Sequence, residues 1–308
     1  MIYGTMVTEQ EIVNEKEIIV QPIWILVSVA PYAVPGEYSG EIKVTLDHKT
    51  ELSLTLELLI LSLVRKESDS YYLNLWQYPY ASAAYYHLTP FSDEHLAIME
   101  HIMEPYRRAG GNIGTASIVE EPWYHQTYCD YPSMVGWKLE KGVWEFDYHD
   151  FDIWAEFLLE RMKIPYIECY SIVPWNNTLF YWENDSLKSK VLEPGSEAWE
   201  NVWGAFLASF VEHLDTRGWF DHIIISMDER PIPEMEAALN LIGQVKNAEG
   251  FSLKTGGAVE HYDEKIWDRL FTVTPHISTI SQKGIPASLF RQIAWNGEKR
   301  ECLQACTV

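Results

Sequence analysis

Three consecutive isoleucines, Ile223-Ile224-Ile225, run through Ser226-Met227 into the charged turn Asp228-Glu229-Arg230-Pro231. A strand that projects β-branched side chains to both sides needs protein on both faces. That is the setting of a parallel sheet covered by helices. Pro231 cannot continue a strand ladder, so this strand ends on two adjacent carboxylates.

The residues around it fit the same setting. Ser92 caps a helix with Asp93 and Glu94 in its first turn and Leu96, Met99, Met103 and Tyr106 on its apolar stripe. Arg107-Arg108 and Gly110-Gly111 close it. Further strands are expected at Leu73–Trp76, Asn112–Ile118, Ile164–Ile172, Phe251–Thr255 and His276–Ile280. Helices are expected over Asp150–Met162, Ser196–Arg217, Met235–Val245 and Asp263–Phe271, and Val119 to Tyr148 reads as one long loop. Strand–helix alternation implies a parallel sheet. No glycine-rich nucleotide turn is present, which favours a (β/α)8-type barrel over a Rossmann sheet.

Residues 1–66 differ. The β-branched run Ile23–Val29, the turn Pro35-Gly36, and the alternating Leu52, Leu54, Leu56 and Leu58 predict strands of a partial β-sandwich. The expected fold class is therefore α/β. A barrel domain over 67–308, incomplete at its C-terminus because Trp295–Val308 has no strand pattern, follows a partial sandwich over 1–66.

The formal charge of −22, from 45 acidic and 23 basic residues, argues against nucleic acid as a partner, since phosphate contacts need clustered Lys and Arg. No long apolar run suggests membrane insertion, and no signal-peptide pattern opens the chain. Thirteen Trp and 18 Tyr supply rings on which sugars stack, so a carbohydrate is the expected partner. Oligomeric state is left open. Ten His without HxH or HExxH spacing give no metal site, and no cofactor is expected.

Glycoside cleavage needs a proton donor at the leaving oxygen and support for positive charge at the anomeric carbon. Asp228 and Glu229 are too close in sequence to flank a sugar from opposite sides. They fit a variant in which the substrate's own 2-acetamido group attacks. Asp228 then orients the acetamide and Glu229 serves as general acid and then general base. The residues alone equally allow Glu229 to pair with Arg230 or Lys254, and Asp228 to cap the next helix. Glu120-Glu121 forms a rival carboxylate pair for a direct mechanism with Glu229. Secondary candidates for sugar contact are Trp76 and Tyr78 after the first barrel strand, Trp175-Asn176-Asn177, and His261-Tyr262.

The Asp228-Glu229-Arg230-Pro231 turn resembles the catalytic turn of the glycoside hydrolase family that includes bacterial β-N-acetylgalactosaminidases. Ile23–Val44 with Pro35–Gly40 is similar to that family's sandwich domain. Leu73–Pro79 and Phe146-Asp147-Tyr148 resemble its early barrel segments. The resemblance covers roughly residues 20–290. It implies retention of configuration through an oxazoline-like intermediate, no metal or organic cofactor, and a bacterial exported or periplasmic setting. It assigns Asp228 as the acetamide-orienting acid and Glu229 as the acid/base. It also implies that the chain starts within the sandwich and stops before the last barrel strands. A non-catalytic carbohydrate-binding remnant, or a glycosidase for another sugar, is the alternative expectation.

Overall fold

The computed structural model describes residues 25, 27–30, 32–46, 50–63, 72–127, 129–275 and 294–295. The chain divides into two compact units, Met1–Glu67 and Ser68–Val308.

In the first unit, β1 (Gly36–Leu46) and β2 (Thr50–Ile60) form an antiparallel hairpin, with Ile42 opposite Leu54. The alternating leucines lie on β2, but Leu52 and Leu54 are exposed. The strand expected over Ile23–Val29 is not formed by its described residues: Ile25, Val27, Ser28 and Val29 lie in no strand, and Ile25 and Val29 are exposed. A β-branched run becomes a strand only where a neighbouring edge accepts its ladder. The described part of this unit is a hairpin rather than a sandwich.

The second unit opens with β3 (Tyr72–Leu73), α1 (Pro79–Tyr86) and α2 (Asp93–Arg108). The expected cap is present, with Ser92 Oγ accepting from His95 N at 3.3 Å, and the predicted stripe is buried. Then come β4 (Ile113–Ser117), β5 (Gly136–Glu140), β6 (Val143–Asp147), α3 (His149–Glu156), which runs on into a π-helical turn over Phe157–Arg161, and β7 (Tyr166–Tyr170). The chain continues through β8 (Thr178–Glu183), β9 (Ser186–Val191), α4 (Glu197–Arg217), β10 (Ile223–Met227), α5 (Ile232–Gln244), β11 (Lys254–Val259), α6 (Glu264–Trp267), β12 (Thr272–Pro275) and β13 (Ala294–Trp295).

The central sheet has five parallel strands in the order β12-β11-β10-β7-β4. β10 is buried along its whole length, as the isoleucine run requires. β13 pairs in parallel with β3 as a separate two-stranded sheet. The alternation thus gives the α/β class, but no closed barrel forms among the described residues. The strand expected at His276–Ile280 lies outside them, and the described strand beside β11 is Thr272–Pro275.

The expected long loop over Val119–Tyr148 contains the hairpin β5–β6, which joins β8–β9 in a second, four-stranded sheet. Its two-residue turns, Lys141-Gly142 and Asn184-Asp185, have positive φ at both positions, the geometry that matches strand twist. α4 lays Trp203, Phe206 and Phe210 into the core, and Trp137 of β5 stacks on Phe206 at 4.7 Å. Among the described residues, no helix is long and apolar enough to cross a membrane.

Candidate active site

Parallel strands place all their C-terminal ends on one edge, where loops can converge on a ligand. On this edge β10 delivers Asp228-Glu229-Arg230, β7 delivers Trp175-Asn176-Asn177, β4 delivers Glu120-Glu121, and β11 delivers His261-Tyr262.

Asp228 is half-buried and Glu229 exposed. Asp228 is held from two directions: Trp175 Nε1 donates to its Oδ2 at 3.0 Å, and the backbone N–H of Glu229 donates to its Oδ1 at 2.9 Å. A carboxylate offers about four lone-pair sites, so each oxygen keeps one for a ligand. Asp228 does not cap the next helix: α5 starts after Pro231 with no side-chain cap.

Arg230 and Lys254 each bond other parts of the chain. Arg230 donates through Nε and Nη2 to Glu234 Oε2, at 3.1 and 2.8 Å, and through Nη2 to Asn177 Oδ1 at 2.8 Å. Its guanidinium carbon lies 5.3 Å from the Trp175 ring centroid. Lys254 bonds Asp221.

The β7 loop reaches this position through two consecutive left-handed residues, Asn176 (φ 59°) and Asn177 (φ 52°). Asparagine tolerates that region better than most side chains. Asn177 is buried and also donates to Glu193 Oε2 at 3.2 Å, whereas Asn176 is exposed.

The rival pair is built differently. Glu121 is buried, and its two oxygens accept from the backbone N–H groups of Tyr131 (2.5 Å) and His125 (2.8 Å). Glu120 accepts from Ser133 N at 2.9 Å, and burial pushes its carboxyl upward from the ordinary value. Both acids therefore bond backbone amides of the loop after β4. His125 Nδ1 lies 3.4 Å from Glu121 and 3.8 Å from Asp130. Among the described residues this is the only cluster of metal-ligand type, and its buried member is already occupied by those amides.

Beneath the turn lies a group the sequence did not flag. Glu168 of β7, 1% exposed, accepts from Asn74 Nδ2, from Thr272 Oγ1 at 2.7 Å and from Tyr170 Oη at 3.1 Å. Burial pushes its carboxyl upward, and the hydroxyl, amide and phenol donors of Thr272, Asn74, Tyr170 and Ser226 pull back. The signal for it was an acid in the middle of the apolar run Tyr166–Tyr170.

Trp76 packs on Tyr170 (5.3 Å) and Trp123 (5.4 Å), and Tyr78 meets Tyr131 edge-on at 4.6 Å. Trp76 and Tyr78 also line a cavity of 220 Å³ with Met99, Ile102 and Met103 of α2, which shares no lining residue with the Asp228 turn. His261 is exposed, and Tyr262 packs edge-on against Trp267 at 5.0 Å.

The catalytic-domain model of glycoside hydrolase family 123 matches residues 76–290. The chain belongs to glycoside hydrolase family 123. A solved family 123 glycoside hydrolase from Clostridium perfringens, whose structure was analysed for glycolipid glycan hydrolysis, is 33% identical with a TM-score of 0.78. The match covers 85% of this chain and 48% of that one, so the family 123 chain described here spans about half the length of that relative. No curated protein sequence matches it. The matched region is the part of the family that carries its catalytic domain.

Proposed function

We propose that this chain is a glycosidase and that it removes terminal β-linked N-acetylgalactosamine, or a related N-acetylhexosamine, from glycans or glycolipids with retention of configuration. The catalytic part is assigned to residues 67–308. Asp228 orients the substrate's 2-acetamido group and supports the charge that develops on its nitrogen as the carbonyl oxygen attacks the anomeric carbon. Glu229 protonates the leaving oxygen. It then takes a proton from the water that opens the cyclised intermediate. Asn176, His261 and Tyr262 on the same edge, with Trp76 and Tyr78 packed beside the Trp123 and Tyr131 rings, are assigned to contacts with the sugar and its neighbours. No metal or organic cofactor enters these steps.

The observation that carries the reading is the double anchoring of Asp228, by Trp175 Nε1 and by the N–H of Glu229. A carboxylate fixed in this way, with acceptor capacity to spare, is pre-organised for a ligand N–H.

The test compares nitrophenyl glycosides. The protein is expected to hydrolyse the β-N-acetylgalactosaminide and to leave the β-galactoside, which has a 2-hydroxyl instead of a 2-acetamide, essentially untouched. Equal rates on the two sugars would remove the acetamide from the mechanism. Binding of the acetamido sugar without turnover would make the chain a carbohydrate-binding protein instead.

A further inference from the structure

We propose that Arg230 and Trp175 form a positioning pair that sets the working orientation of Asp228, with Arg230 acting only through the indole. The inference rests on the assignment of Asp228 above. Sequence reasoning gave Trp175 a stacking role against sugar. In the structure its N–H edge is spent on Asp228 Oδ2 at 3.0 Å, and its ring lies beside the Arg230 guanidinium at 5.3 Å.

Arg230 is itself fixed. Its side chain is 9% exposed, forks onto Glu234 of α5 and reaches Asn177 on the loop after β7. One guanidinium therefore ties the β10 turn to the loop that carries Trp175. A planar guanidinium held by two partners makes a rigid shelf for an indole, and a cation beside an aromatic ring adds attraction. The order of action runs from Glu234 and Asn177 to Arg230, from Arg230 to the Trp175 ring, and from the Trp175 N–H to Asp228. Trp175 and Arg230 are positioning residues: the Trp175 N–H holds the acid, and Arg230 braces Trp175 while bonding Glu234 and Asn177.

The experiment measures calorimetric binding of an N-acetylgalactosamine-derived thiazoline, which mimics the cyclised acetamide. The proteins are the parent, Trp175→Phe, Arg230→Met and the double variant. Trp175→Phe keeps a ring and removes the donor. Its affinity is expected to fall about 10-fold to 100-fold, the worth of a hydrogen bond to a charged group. Arg230→Met is expected to lose about threefold to tenfold, the range of a ring–cation contact. The double variant is expected to bind within about twofold of Trp175→Phe, because Arg230 has no route to Asp228 once the N–H is gone. With turnover substrates, kcat is expected to fall in parallel while KM stays within about twofold.

Arg230→Lys, which keeps the cation, checks folding and is expected to recover part of the loss. Losses that multiply in the double variant would give Arg230 an independent role and overturn the proposal. So would a Trp175→Phe protein that binds like the parent, or losses that fall on KM instead of kcat. A parent that does not bind the thiazoline would reject the assisted mechanism itself, which is a separate outcome.

Discussion

Glu168 and Tyr170, two residues apart on β7, face the same side of the sheet, and the phenol donates to the carboxylate at 3.1 Å. Glu168 also takes hydrogen bonds from Thr272 on β12 and from Asn74 just after β3. One buried acid thus ties together three segments of the inner layer, directly below the turn that carries Asp228.

The consequence for pH follows from linkage. The ordinary value of the carboxyl is 4.5, and burial raises it in the folded chain. Between those two values the folded chain holds a proton that the unfolded chain has released. The stability this supplies is fully present below 4.5 and is lost as pH rises through the raised folded value. Glu168→Gln has no such titration. Urea unfolding is expected to show the parent losing stability relative to Glu168→Gln as pH rises across that window. A constant difference, or a parent that gains stability relative to Glu168→Gln as pH rises, would contradict the placement of Glu168.

Gly256 is a second point of close packing. A Cβ there would stand 2.6 Å from Glu168 Oε1 and 2.5 Å from Thr272 Oγ1, and would also meet Ser226 Oγ. Two of these atoms, Glu168 Oε1 and Thr272 Oγ1, are engaged with each other and do not readily give way. Gly256→Ala is expected to destabilise the fold by about 1–3 kcal/mol, the cost of overpacking. Thermal unfolding reads this directly, and an unchanged midpoint would show the inner layer to be looser than described.

Glu121 clasps the loop after β4 by accepting from His125 N and Tyr131 N. Glu121→Ala leaves two amide donors without their acceptor, at a cost of about 1–3 kcal/mol for each that stays buried. Faster hydrogen exchange at His125 and Tyr131 is the expected result, with little change in the β10 strand. This loop carries Trp123, which packs on Trp76 and Tyr170. Slower turnover would therefore accompany the loosening through misplaced aromatic walls. Unchanged exchange at both amides would contradict the clasp.

What the sequence made legible is what local chemistry decides. Ser92, Ser196 and Gly218 mark helix ends because a hydroxyl or a left-handed residue there answers orphan backbone groups. The isoleucine run marks β10 because no half-exposed strand tolerates it. Less legible were features whose partners lie far along the chain. Trp175 reads as a sugar platform until Asp228, 53 residues on, takes its N–H. The expected strand Phe251–Thr255 stops short of Gly256-Gly257, yet β11 runs from Lys254 to Val259, with Gly256 making room for Glu168 and Thr272 and Gly257 lying against Met235. The hairpin at Lys141-Gly142 carried a turn signal that the surrounding aromatic loop obscured.

The direct test of the catalytic turn is the leaving-group dependence of Glu229→Gln on aryl β-N-acetylgalactosaminides. A protein that has lost its proton donor depends on the aglycone to leave unaided. Its kcat/KM is expected to fall about a hundredfold or more for a poor leaving group such as phenol, and far less for dinitrophenol. An equal, small loss across the series would show that the proton comes from elsewhere and that Asp228-Glu229 is not the catalytic pair.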